Sequence, residues 1–334
     1  QALDANTTAE NNTAIGRLAG TGITTGGLNT IVGAAAMQLN ETGANNVAVG
    51  ASALAAALGS DNVAVGKSAG DAITTGANNI LMGTDAGGSL TTGGNNTAVG
   101  KDTIAQATTT SNLVAVGFKA LSNCTGTGNN AFGYLAGEDV STASQNTLVG
   151  HAAGYNITTG NNNTFIGYGA GDACTTGTPN TAVGVGAYGS GGAGGGAENV
   201  AIGNSVLALA DSGALYNTAI GSTAGYDLTT GDYNTFVGRY AGTTATTGSF
   251  GIMIGPSSRP STANADSETV IGYNVTGQGN STFTFGSGSN ETTASFGGTT
   301  WSAPSDIRLK EDIKDEEIGL SFINDLRPRT FRYR

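Results

Sequence analysis

The phrase NNTAVG, Asn95 to Gly100, returns in close variants along most of the chain. NNTAIG closes at Gly16, NNVAVG at Gly50, NNTFIG at Gly167, ENVAIG at Gly203 and YNTFVG at Gly238. The closing glycines run from Gly16 to Gly272, and nearly every step between them is 16 or 17 residues. A short fixed period marks a solenoid, in which each repeat is one coil that buries its apolar side only by stacking on its neighbours. The 334 residues are therefore not read as two globular domains. Two steps are longer, into Gly203 and Gly221. The first contains GSGGAGGGAEN, whose glycines read as a loop bulging from one coil.

Within each repeat the residue before the closing glycine is always apolar, as at Ile15, Val32, Val49, Met82, Phe132 and Ile166. One strand face is read as buried on that ground. The residue before it is apolar too, usually Ala, with Ile31, Leu81, Leu148, Phe165, Phe236 and Met253 as larger versions. Adjacent strand residues point to opposite faces, so both faces are expected to avoid water. A small residue recurs three places after the glycine (Ala19, Ala36, Ala53, Ala69, Ala120, Ala136, Ala241) and fits a narrow interior. A turn phrase TTG follows, at Thr24–Gly26, Thr74–Gly76, Thr91–Gly93, Thr158–Gly160 and Thr229–Gly231, with glycine expected to supply a positive φ. The asparagine that starts each phrase (Asn12, Asn29, Asn46 and their copies to Asn234) is expected to stack in an amide ladder. Carbohydrate or metal contact by these asparagines, and N-glycosylation at the NNT and NET sequons, are the functional alternatives.

Sixteen coils at ~4.8 Å make a rod on the order of 75 Å long. A 17-residue coil is expected to enclose too little to fill a core alone, so the second apolar strand face, the alanine-bearing one, calls for another partner. Several identical rolls packed about an axis would supply it. Three are expected, although periodicity does not choose the number.

Composition agrees with an all-β parallel solenoid. The 56 glycines come with 5 prolines, 1 tryptophan and 11% charged residues, which argues against a conventional helical core. The formal net charge of −11 argues against binding a nucleic-acid backbone, which needs clustered Lys and Arg. Residues 1–299 hold 6 of the 13 basic and 17 of the 24 acidic residues, leaving 7 of each from Thr300 onward. No run of 18 apolar residues is present to span a membrane, and Gln1 opens the chain without a signal pattern, as expected of a fragment or a mature form. Cys124 and Cys174 share a phase of the repeat three coils apart, roughly 14 Å at ~4.8 Å per coil, too far for a bridge within one chain.

Candidate chemistry in the repeats is sparse. His151 follows Gly150 at a position that varies among Lys67, Lys101, Tyr134, Tyr168 and Arg239 in other coils, and it lacks partners for a zinc or a Ser-His-Asp site. Glycan cleavage needs a carboxylate pair ~5 to 10 Å apart. The adjacent Glu138 and Asp139 have no copies in neighbouring coils and read as solvated loop charges. Tyr134, Tyr155, Tyr168, Tyr226, Tyr233 and Tyr240 could stack on sugars or simply cover coil edges. No cofactor and no metal site are expected.

Residues 287–304 are Gly/Ser/Thr-rich and hold the lone tryptophan, Trp301, which reads as a transition. From Ser305 the chain changes to SDIRLKEDIKDEEIGLSFINDLRPRTFRYR, where 14 of 30 residues are charged. Ile318, Phe322, Ile323 and Leu326 recur at helical spacing and predict a short helix over 315–326, ended by Pro328.

The NTAVG/NVAVG phrase with small residues after it resembles the head repeat of trimeric autotransporter adhesins, a left-handed parallel β-roll assembled as a homotrimer, and similar repeats of bacteriophage tail fibres and spikes. The resemblance covers about residues 11–286, with a period longer than the adhesin head's usual one, which favours the phage-fibre version. The order Ser305, Asp306, Arg308, Lys310, then Gly319, Leu320, Ile323, Leu326, Pro328, Phe331 and Tyr333, is similar to the start of the endosialidase-type intramolecular chaperone domain. That resemblance implies a domain that guides trimerisation and releases itself by cleavage at Ser305, with Lys310 as general base and Asp306 and Arg308 in support. A lysine serves as base when a neighbouring cation such as Arg308 lowers its pKa. Only about thirty residues of the domain are present, and the chain runs uncut through Ser305.

These readings predict a β-solenoid shaft over 1–286, a transition over 287–304 and the start of a chaperone domain over 305–334. The expected function is a homotrimeric, host-adhesive fibre on a virion that contacts a cell-surface glycan or protein and has no catalysis beyond single-turnover self-cleavage. A bacterial surface adhesin or extracellular filament, and a glycan-degrading spike, are the alternatives.

Overall fold

The computed structural model describes residues 1–189 and 194–300. The predicted C-terminal helix and part of the glycine loop before Gly203 lie outside these residues. Each copy of the phrase forms a short strand, three residues in β1 (Thr13–Ile15) through β15 (Ile252–Ile254) and five in β16 (Thr269–Tyr273). Every strand pairs in parallel with the next copy along the chain. The register matches like with like: Thr13, Ala14 and Ile15 sit on Thr30, Ile31 and Val32, and Thr164, Phe165 and Ile166 on Thr181, Ala182 and Val183. The result is a parallel β-solenoid of sixteen coils. No helix among the described residues is long and apolar enough to cross a membrane.

The closing glycine makes the corner after each strand. Gly150 has φ +135°, and a Cβ there would fall within 3.0 Å of the backbone of Gly167 in the next coil. Only glycine accepts both the dihedral and the approach. The glycines of the TTG phrase behave differently from the expectation. Gly26, Gly76, Gly93, Gly160 and Gly231 have no positive φ; the left-handed residues lie elsewhere in the coil. Their carbonyls face the asparagine ladder, and a Cβ would crowd the same position one coil on.

The strand faces are the reverse of the sequence reading. The middle residue of each strand points inward: Ile31, Ala48, Leu81, Ala98, Phe165 and Phe236 have no exposed surface. The residue before the glycine points outward, as do the first strand residues. Ile15 is 62% exposed, Met82 41% and Ile166 38%. The single coil also fills its own core, contrary to expectation. The buried strand residue meets the small residue after the corner (Ala19, Ala36, Ala53), the residue that follows it (Met37, Leu54, Leu121) and a fourth column (Ile23, Ile73, Leu90, Ile157), and these form one continuous cluster.

Packing inside this narrow core follows a volume rule between two columns. The large strand residues Leu81, Leu148, Phe165 and Phe236 are matched by glycine four places after the corner, in their own coil and in the one before. Leu148 lies between Gly137 and Gly154, and Phe236 between Gly225 and Gly242; a Cβ on any of these glycines would fall within 3.0 Å of that side chain. Between two successive coils whose strand residues are both Ala, the same column carries Leu54, Ile104, Leu121 or Leu207 at φ between +42° and +51°. Those side chains fill the space left by alanine, offsetting a left-handed backbone that costs ~1–2 kcal/mol per residue.

Asparagine closes the remaining wall. Asn29 N–H donates to Asn12 Oδ1 (2.9 Å), and Asn29 Nδ2 donates to the Gly43 carbonyl (3.0 Å). The pattern repeats through Asn146, Asn163 and Asn180 and on to Asn234. Buried amides are thus satisfied along the rod, as burial of polar groups demands. Leu113 and Gly251 stand in two ladder slots and keep only the backbone bond, to Asn96 (3.0 Å) and Asn234 (2.8 Å). Glu268 takes the last slot, fully buried, its carboxylate accepting N–H groups from Ser261 (2.8 Å) and Gly279 (2.6 Å).

The far end of the rod is closed by a hairpin. β17 (Thr282–Ser287) pairs in parallel on β16 and antiparallel with β18 (Asn290–Ser295). Residues 290–295, which composition alone places in a transition, are strand.

Candidate functional site

The outward strand face is the largest feature that the coil leaves without a partner. Its two columns are mainly Thr, with Val, Ile and one asparagine, Asn130, at the first strand position, and Val, Ile, Met or Phe at the third. Sixteen rungs at ~4.8 Å with a face roughly 10 Å wide give an area on the order of 700 Å². The continuous apolar column is roughly half of that, comparable with the ~300–600 Å² of the largest apolar patch on a typical monomer, and the whole face approaches the ~800 Å² that one partner contributes to a standard interface. Along the face like residues stack in register from coil to coil.

Around the corner runs a column of rings. Phe118, Tyr134, His151 and Tyr168 stack from coil to coil, with centroids 5.3, 5.0 and 4.8 Å apart. Lys101 Nζ lies 5.6 Å from the Phe118 centroid. A second column stacks Tyr216 on Tyr233 (4.7 Å) and Tyr233 on Phe250 (5.2 Å). Both columns turn ring faces toward one another and ring edges toward solvent. A sugar stacks on a ring face, so Tyr134 and Tyr233, each sandwiched between two neighbours, read as covers of the coil edge rather than as sugar platforms. Tyr240 packs against Arg239, whose Cζ is 4.4 Å from its ring centre. The sequence placed Tyr134, His151 and Tyr168 at one equivalent position but did not show the stacking, because that position also carries Lys67, Lys101 and Arg239 in other coils.

The acidic residues of the middle coils are held locally. Glu138 closes an ion pair with Lys119 at 2.9 Å, and Asp139 accepts from Asn123 Nδ2 at 2.9 Å. The hydrogen bond and charge of Glu138 raise the Lys119 pKa, and the charge of Glu138 raises that of Tyr155. Glu198 does the same to Tyr216. Among the described residues no three His, Cys, Asp or Glu side chains come close enough to hold a metal ion. His151 is exposed and engaged only in its ring column. Cys124 and Cys174 are free and buried, and burial pushes both thiols up to about 11. Ser305, Asp306, Arg308 and Lys310 lie outside the described residues.

Sequence reading missed Asn129, which occupies a ladder slot and donates to the Ala143 carbonyl at 2.7 Å. It also missed Glu268 and a cleft at the hairpin end, where Arg259, Asn274, Thr276, Gly288, Ser289 and Glu291 meet. Compared with known proteins, the chain matches no family model, no curated protein and no solved structure.

Proposed function

We propose that the chain is a structural and adhesive fibre segment, in which three copies pack their outward Thr/Val/Ile faces together around a common axis. The observation that carries this reading is the outward face itself, with its unbroken column of Val, Ile, Met and Phe at the third strand position, in a coil whose core is otherwise complete. Sister chains are needed only on that face, and none is needed to fill the interior. The number three comes from the resemblance to adhesin-head and phage-fibre repeats. A rod of this kind displays its surface in several copies, so weak contacts with a cell-surface glycan or protein gain from effective concentration. The mass of the assembly in solution tests the reading.

In this reading the segment 305–334 serves assembly and is released at Ser305, with Lys310 as the base that takes the serine proton. The match of Ser305, Asp306, Arg308 and Lys310 to the chaperone motif supports it. Intact-mass measurement on material carrying the complete C-terminal domain reads this step. A product ending beside Ser305 in the wild type and absent from Ser305→Ala is the expected result; equal, uncut masses for both remove self-cleavage from the account.

A further inference from the structure

The cleft at the hairpin end has a feature found in no other coil. Four places after the corner, where other coils carry Gly, Leu, Met, Ile or Tyr188, the last two coils carry Arg259 and Thr276. Arg259 is locked at the backbone on both sides: its N–H donates to the Val275 carbonyl (3.0 Å), and its own carbonyl accepts from Gly277 (2.9 Å). Its Nε donates to Thr276 Oγ1 at 2.9 Å. Arg259 is partly buried, yet it forms no ion pair among the described residues, although Glu291 lines the same cleft. Glu291 is turned to other partners, accepting from Gln278 Nε2 and from the Thr276 N–H (3.4 Å). A planar guanidinium fits a carboxylate through two parallel hydrogen bonds.

We propose that this cleft of about 300 Å³ binds an acidic sugar of the uronic-acid class. Arg259 takes the carboxylate, and Asn274 and Ser289 take ring hydroxyls. Glu291 accepts from a hydroxyl and repels a compact dianion, so the cleft selects a hydroxylated monocarboxylate over inorganic phosphate. The volume lies at the lower end of the ~300–1,000 Å³ of ligand sites, sized for a single sugar ring rather than a chain. The inference rests on the adhesive half of the reading above and locates one contact near the end of the rod.

Titration of the full chain with D-glucuronate, D-glucose and inorganic phosphate, followed by NMR or calorimetry, tests it. Glucuronate is expected to bind, glucose and phosphate at least about tenfold more weakly, a difference that corresponds to one good polar contact. Arg259→Gln should weaken glucuronate about tenfold or more while leaving the melting temperature unchanged, and Glu291→Gln should admit phosphate. Absence of glucuronate binding, binding indifferent to Arg259→Gln, or equal binding of glucose or phosphate overturns the proposal. The solution mass does not depend on this cleft, so its failure is separable from failure of the fibre assembly.

Discussion

Asp172 shows how one side chain can stand against the fold that carries it. It is partly buried, and its Oδ1 is a buried atom without a hydrogen-bond partner. Burial raises its pKa above 3.8, while N–H groups of Ala173 and Asp172 itself lower it. A raised folded pKa means that the fold prefers the protonated acid. The contribution of Asp172 is therefore most favourable below about 3.8 and is lost as pH rises through its folded value. Asp172→Asn removes the charge and keeps an oxygen acceptor. Thermal melts across pH should show the variant more stable than the wild type at pH near 7, with the gap closing as pH falls toward the ordinary carboxylate range. An Asn variant less stable at neutral pH would mean that the ionised carboxylate is held by the fold rather than tolerated.

At the scale of the element, the unit is the column of equivalent residues running up the rod. The paired columns of strand centre and fourth residue after the corner couple neighbouring coils through volume. Phe165 lies against Gly171 of its own coil, where a Cβ would fall within 3.0 Å of the ring. Phe165→Ala should cost about 3–5 kcal/mol in urea unfolding, as large-to-small changes in a closed core do. Gly171→Leu alone should also destabilise, by overpacking and by its φ of +62°. The double variant recreates the arrangement around Leu121, which lies between coils carrying Ala115 and Ala131. It should recover at least about 2 kcal/mol relative to the sum of the single changes; additive costs would show that the two columns do not share one space.

The same columns explain what the sequence made legible. Period, strand phrase, buried alanine after the corner and asparagine ladder are written in residue types that repeat, and the structure carries all four. The inward direction of the strand is not written that way. A period of two says which residues share a side but not which side is inside, and Ala48 and Val49 are both apolar. The deciding column alternates between Gly154 and Leu121, residues as unlike as two can be, so it looks unpatterned until coils are stacked. Arg259 and Glu291 are 32 positions apart and meet only because the hairpin folds back on the last coil. Asn129 hides beside Asn130, in a step of 16 rather than 17 residues.

The described coils stack into a rod whose inside is filled and whose outward strand face is left open. Bonds between coils run along the axis through backbone ladders, threonine hydroxyls such as Thr91 to the Thr108 carbonyl (2.9 Å), and stacked rings. Each coil therefore leans on its neighbours, and stiffness accumulates with length. Perpendicular to the axis an extended apolar column runs along the face that carries Val149, Ile166, Val183 and their copies, at which full burial of each side chain is worth about 1.5–3 kcal/mol. Sedimentation equilibrium of the purified chain tests the account most directly. The predicted result is a species of three times the 32.8 kDa chain mass, which falls to a folded single chain when Ile166 and Val183 are both changed to Glu. A folded, non-associating single chain in the unmodified protein, with that face open to water, would contradict it.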